Sequence, residues 1–107
     1  MYIIIWKYQV KQGKEKDFED VYGSEGAWVR FFRKAPEYQG TELLCDSSAP
    51  STYMTIDRWA DRTSYESFLR QYEKEYNAID TRCNDLTRSE QRVGLFVVAG
   101  QKRQDSP

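Results

Sequence analysis

Asp57, Trp59 and Tyr65 are the residues of this chain best placed by type and spacing to do chemistry. Asp57 and Trp59 are alternate residues of an extended segment, so they share one face. Tyr65 follows in the first turn of an amphipathic stretch. A carboxylate set among aromatic rings loses its hydration, its proton affinity rises, and it can serve as a general base. The other outcome for such an aspartate is an ion pair, and Arg58, Arg62 and Arg82 are the cations at hand. Isolated buried charge is expensive, which favours the pair. Trp6, Tyr8, Phe32, Tyr53, Phe68 and Tyr72 are the candidate contacts for a substrate.

The chain carries three Trp, eight Tyr and five Phe among 107 residues. Aliphatic side chains fill a core without hydroxyls that need partners. So much Tyr and Trp points to a cavity with flat walls and a few donors, suited to a small planar aromatic molecule. The plainer reading of an aromatic stripe at helical spacing is packing, and it applies to Trp59, Tyr65, Phe68 and Tyr72 alike. Histidine is absent. That removes the commonest general base, the commonest metal ligand and the usual proximal haem ligand. Chemistry here must run on carboxylate, tyrosine, lysine, arginine, cysteine or the substrate itself, and no cofactor or metal is expected. Cys45 and Cys83 lack C-x-x-C spacing, so they suggest neither a disulfide framework nor a zinc site. They read as small, partly buried thiols of a reducing cytosol.

The charge is balanced, with 16 basic and 17 acidic residues and a formal net charge of −1. Such a surface is not built to grip nucleic acid or anionic lipid. The apolar run at residues 2–10 is too short to span a bilayer and lacks a basic leader. The expected location is therefore cytoplasmic, with no membrane partner.

The elements that must position these residues follow from periodicity. Residues 2–10, YIIIWKYQV, are β-branched and aromatic and read as a strand. Phe18, Val21 and Tyr22 form a helical face over 14–22. Gly23 and Gly26 interrupt it before a second helical piece carrying Trp28, Phe31, Phe32 and Ala35, which Pro36 ends. Residues 40–46 and 52–59 read as strands joined by the turn cluster 47–51, an antiparallel hairpin. Thr63 and Glu66 fit a capping box. From there Tyr65, Phe68, Leu69, Tyr72, Tyr76, Ile79, Cys83 and Leu86 predict one continuous helix over 63–86. Residues 89–99 make the last strand. One domain over 1–99 and a polar, disordered tail over 100–107 are expected.

The order β-α-β-β-α-β is the split βαβ pattern of α+β ferredoxin-like folds with an antiparallel sheet. Its helices cover one sheet face. Ile3, Ile4 and Ile5 are consecutive, and Val93, Leu95 and Val97 alternate with Phe96 and Val98, so both faces of the outer sequence strands are apolar. The uncovered face needs a partner, and a second copy of the chain in a two-fold homodimer is the economical one.

VKQGKEKDFEDVY, APEYQGTELL and YMTIDRWADRTSYESFLRQYEKEY make the chain resemble the antibiotic-biosynthesis-monooxygenase-like (ABM) family over about residues 2–98, its strongest token being Trp59 ahead of a helix start. The resemblance implies a dimeric α/β barrel. It also implies, for some members, oxygenation of phenols or hydroquinones without flavin, metal or haem, the substrate anion passing an electron to oxygen. Such members use a tryptophan matching Trp59 and an aromatic matching Tyr65. A haem-degrading branch adds an asparagine in the first strand and a histidine in the last helix. This chain has neither, with Leu69 at the latter position, so haem degradation is not expected. Some monooxygenases use an asparagine where this chain has Thr55. Two readings result: a cofactor-independent monooxygenase on a small aromatic, quinol or polyketide-like substrate, with Asp57 or a tyrosine as proton acceptor, or a non-catalytic dimeric small-molecule-binding or stress-related domain with the same pocket. RNA binding, which the same strand order also serves, lacks its basic aromatic segment here.

Overall fold

The structure is a computed structural model that describes residues 1–100; the expected tail, apart from Gly100, lies outside the described residues. Four strands, β1 (Tyr2–Val10), β2 (Tyr38–Cys45), β3 (Thr52–Trp59) and β4 (Thr87–Val97), form one sheet. Its order is β2-β3-β1-β4 and every pairing is antiparallel, the ferredoxin-like arrangement expected. Four helices complete the chain: α1 (Glu15–Tyr22), α2 (Ala27–Phe32), α3 (Arg62–Gln71) and α4 (Glu73–Cys83).

The helices cover one face of the sheet. Tyr2, Ile4, Tyr8 and Val10 of β1 and Tyr53, Thr55 and Trp59 of β3 point into that layer and are buried. Phe18, Phe31, Phe32 and Phe68 meet them from the helices. On the other face, Ile3 and Ile5 stand beside Ile56, Met54 and Phe96 by register, and none of these is among the buried core residues that the described helices cover. Phe96 and Leu44 are 42% and 43% exposed. Among the described residues no helix is long and apolar enough to cross a membrane. Both cysteines are free; Cys83 is buried, whereas Cys45 is exposed rather than partly buried.

Three local expectations need correction. The helix over 63–86 is two helices. Tyr72 leaves helical geometry at φ −114° and ψ 32°. There its ring packs on Phe68 and edge-on to Phe31, with the Lys34 ammonium 5.0 Å from its centroid. The apolar period persists because both helices turn their stripes to the same core. The cap is not Thr63. Asp61 is the N-cap, and its Oδ1 accepts the Ser64 N–H at 2.7 Å. Thr63 already lies inside the helix, and Glu66 accepts from Arg62 at 3.0 Å instead. Finally, β4 begins two residues earlier than expected and pairs irregularly with β1: Ile5 faces Gly94 while Trp6 faces Arg92, which leaves Val93 bulged.

Asp61→Ala should lower stability by about 1 kcal/mol in urea unfolding, while Thr63→Ala should change it by less than about half of that. Equal losses would restore Thr63 as the cap.

Candidate functional site

A cavity lies between the covered sheet face and the helices. Trp6 and Tyr8 of β1, Thr55 and Asp57 of β3, Thr41 of β2 and Glu90 of β4 supply its sheet side. Tyr22, Trp28, Phe32, Tyr65, Tyr76 and Asp80 supply the helical side. Its volume is about 50 Å³. That makes a narrow, ring-lined slot rather than a bowl.

Asp57 owes its place to pairing. It stands opposite Ile4 of β1 on one side and Thr41 of β2 on the other. Its Oδ1 accepts from the Thr41 hydroxyl at 2.6 Å. The hydroxyls of Thr41 and Tyr38 lie 2.5 Å apart. None of the expected arginines reaches Asp57. Arg58 alternates to the opposite face and pairs with Glu42 at 2.6 Å. Arg62 pairs with Glu66 at 3.0 Å. Arg82 lines a separate surface hollow beside Glu75. Among the described residues Asp57 has no ion pair. Burial therefore pushes its carboxyl up from 3.8 to about 6, with the Thr41 hydrogen bond opposing the rise. Some of the residue's surface remains open, but it faces the slot, where few waters fit; the loss of hydration dominates.

The tyrosines move in the direction that keeps them neutral. Burial raises the Tyr8 hydroxyl well above its ordinary range, partly offset by the bond to Thr55 Oγ1 at 3.2 Å. Burial also raises Tyr65 and Tyr22. These groups are proton donors in the slot and poor bases. Burial, with the Asp80 carboxyl beside it, raises Glu90 as well.

Of the residues singled out from the sequence, Trp6, Tyr8, Phe32, Asp57 and Tyr65 line this cavity. Trp59, Tyr53, Phe68 and Tyr72 do not. Trp59 is 0% exposed, its ring edge-on to Phe32 and Tyr65 at 5.7 and 5.5 Å. It backs the two rings that line the slot, and its Nε1 has no hydrogen-bond partner among the described residues. Tyr53 is buried against Phe18 and donates to Glu19. Phe68 packs between Trp59 and Phe31, and Tyr72 is half-buried against Phe68 and Phe31, away from the slot. Thr41, Trp28, Tyr22, Tyr76, Asp80 and Glu90 were not singled out as site residues. Tyr76 and Asp80 are one helical turn apart, a spacing visible in the sequence. Thr41 and Glu90 become visible only through strand register.

A sheet of this order, with helices on one face and a ring-lined slot between the two layers, defines an α+β ferredoxin-like domain. The chain belongs to the antibiotic biosynthesis monooxygenase (ABM) family, whose model matches residues 1–73. Among solved structures, SnoaB from Streptomyces nogalater, a cofactor-independent oxygenase, superposes with a TM-score of 0.76 at 21% identity over 94% of each chain. PA3566 from Pseudomonas aeruginosa gives 0.69 at 15% identity, covering 92% of this chain and 94% of that one. A NIPSNAP domain protein from Burkholderia xenovorans gives 0.68 at 17%, covering 94% and 96%. No curated protein matches.

The native Asp57 carboxyl keeps its proton up to about pH 6, whereas an unfolded chain releases it near 3.8. Between those values the native state holds more protons, so this group's contribution to stability falls as pH rises and stays lower above 6. Asp57→Asn removes the ionisation. The variant should gain on the order of 2 kcal/mol over wild type at about pH 7.5 and little at about pH 3.5, by urea unfolding. A difference independent of pH would mean that the carboxyl is solvated.

Proposed function

We propose that this chain is a cofactor-independent monooxygenase acting on a small aromatic, quinol or polyketide-like substrate, with Asp57 as its general base. The observation that carries the reading is a carboxylate in a ring-lined slot with no ion-pair partner among the described residues. An acid with a pKa of about 6 is ionised near neutral pH and still basic enough to take a proton from an acidic phenol or anthrone-type carbon. Trp6 and Phe32 offer flat faces to such a ring, and Tyr65 and Tyr8 offer hydroxyls to its oxygens.

The reaction balances on substrate, oxygen and Asp57 alone. Asp57 removes a proton from a ring methylene. The resulting anion gives an electron to oxygen, and the two radicals join as a peroxide anion, which recovers the proton from Asp57. Asp57 then removes the second proton at the same carbon, a carbonyl forms, and hydroxide leaves as water with that proton. One oxygen atom enters the substrate, the other becomes water, and all four electrons come from the substrate. The narrow slot excludes bulk water, which would otherwise quench the anion.

We also propose that two copies pair through the uncovered sheet face. Ile3, Ile5, Met54, Ile56 and Phe96 make an apolar surface whose exposure to water is unfavourable. Sedimentation equilibrium should give a dimer for the wild type and a monomer for Ile56→Asp. A wild-type monomer at micromolar concentration would refute the pairing.

Oxygen uptake across a hydroquinone and anthrone panel should show a rate that climbs with pH through about 6 and then levels. Asp57→Asn should reduce kcat by about 100-fold or more. No uptake above buffer from a folded dimer would refute catalysis, and a ligand retained in native mass spectrometry without turnover would establish the binding-domain reading in its place.

A further inference from the structure

We propose that Thr41, oriented by Tyr38, is the positioning residue for Asp57: it holds Oδ1 and leaves Oδ2 to face the substrate. The inference rests on the reading of Asp57 as the base and adds two residues to it.

The geometry begins with an irregularity in β2. Tyr38 faces Trp59 and Thr41 faces Asp57, yet Gly40 faces Arg58. Trp59 and Asp57 are alternate residues on one face of β3. Their partners on β2 are three residues apart, so one extra residue is accommodated between Tyr38 and Gly40. In a regular strand, residues three apart point to opposite faces. The bulge brings the Tyr38 and Thr41 side chains to the same face, beside Asp57. Gly40 takes φ +117°, a conformation that side chains rarely adopt, and so permits the bulge.

The consequence is a chain of two hydroxyls ending on a carboxylate. A hydroxyl carries one proton. Thr41 uses its own on Asp57 Oδ1 at 2.6 Å, so the 2.5 Å contact with Tyr38 is one in which Tyr38 donates. Each side chain is thereby fixed in rotation. No other described donor reaches Asp57, so Oδ2 is the oxygen left for an incoming proton. The other titratable groups around the slot do not substitute for this contact. Tyr8 of β1 is engaged with Thr55. Tyr65 of α3, Tyr76 and Asp80 of α4 and Glu90 of β4 line the cavity without a hydrogen bond to Asp57. Arg92 of β4 acts on Tyr65 and Tyr76 at a distance and makes no ion pair with Asp57.

The test reads Asp57 directly, by carbon-13 NMR titration of its side-chain carboxyl in wild type, Thr41→Val, Thr41→Ser and Tyr38→Phe. Loss of a charge-assisted hydrogen bond should raise the midpoint by about one unit in T41V. T41S should restore it to within a few tenths of wild type, and Y38F should raise it by a smaller amount than T41V. In oxygen-uptake assays the acid limb of kcat should move by the same shift, with KM changed less than about twofold. A folded T41V that titrates as wild type overturns the proposal. So does a T41S that shifts as far as T41V. If T41V does not fold, Y38F decides: an unmoved midpoint there overturns the proposal. A chain that shows the titration shifts and oxidises nothing keeps the hold on Asp57 and discards the monooxygenase reading alone.

Discussion

Asp57 sits on an interior strand with its carboxyl turned toward helices that bring rings and no cation. β3 is paired on both sides, so the residue cannot rotate out of the layer without breaking two ladders. Its nearest cation in sequence, Arg58, is sent by the pleat to the opposite face. The chain thus keeps a costly group where a hydrocarbon side chain would pack at lower free energy. A single hydroxyl, that of Thr41, offsets part of the cost.

The rest of the architecture supports that one position. Trp59 is fully buried behind Phe32 and Tyr65 and holds two walls of the slot. Phe31 and Phe68 continue the ring stack outward. The Tyr8 hydroxyl is hydrogen-bonded to Thr55 Oγ1, and burial keeps it protonated. Break these contacts and the slot admits water; the carboxyl regains hydration and becomes an ordinary aspartate. The apolar far face belongs to the same logic, since a second sheet packed there would stiffen β1 and β3 from below.

Much of the fold was legible in the sequence because period and punctuation agreed. YIIIWKYQV and the strand to Trp59 gave two strands by β-branched and aromatic content, and the turn cluster at 47–51 marked the strand before it as the other arm of a hairpin. The break at Tyr72 was not legible. No Gly or Pro marks it, and the apolar period runs through it. The cap was misread because both Asp61 and Thr63 are good capping residues, and only the position of the first turn separates them. At the site, alternation sufficed to place Asp57 with Trp6 and Tyr8. It could not show that Trp59 lies one layer deeper than Tyr65, since depth depends on helix packing. Nor could it show Thr41 beside Asp57, which depends on strand register and on a bulge.

The central claim is that Asp57 is desolvated and unpaired in the native protein. A potentiometric difference titration of wild type against Asp57→Asn measures it most directly. The account predicts that the native wild type takes up one additional proton with a midpoint near 6. A midpoint at or below 3.8, the value of a solvated or salt-bridged aspartate, would contradict it.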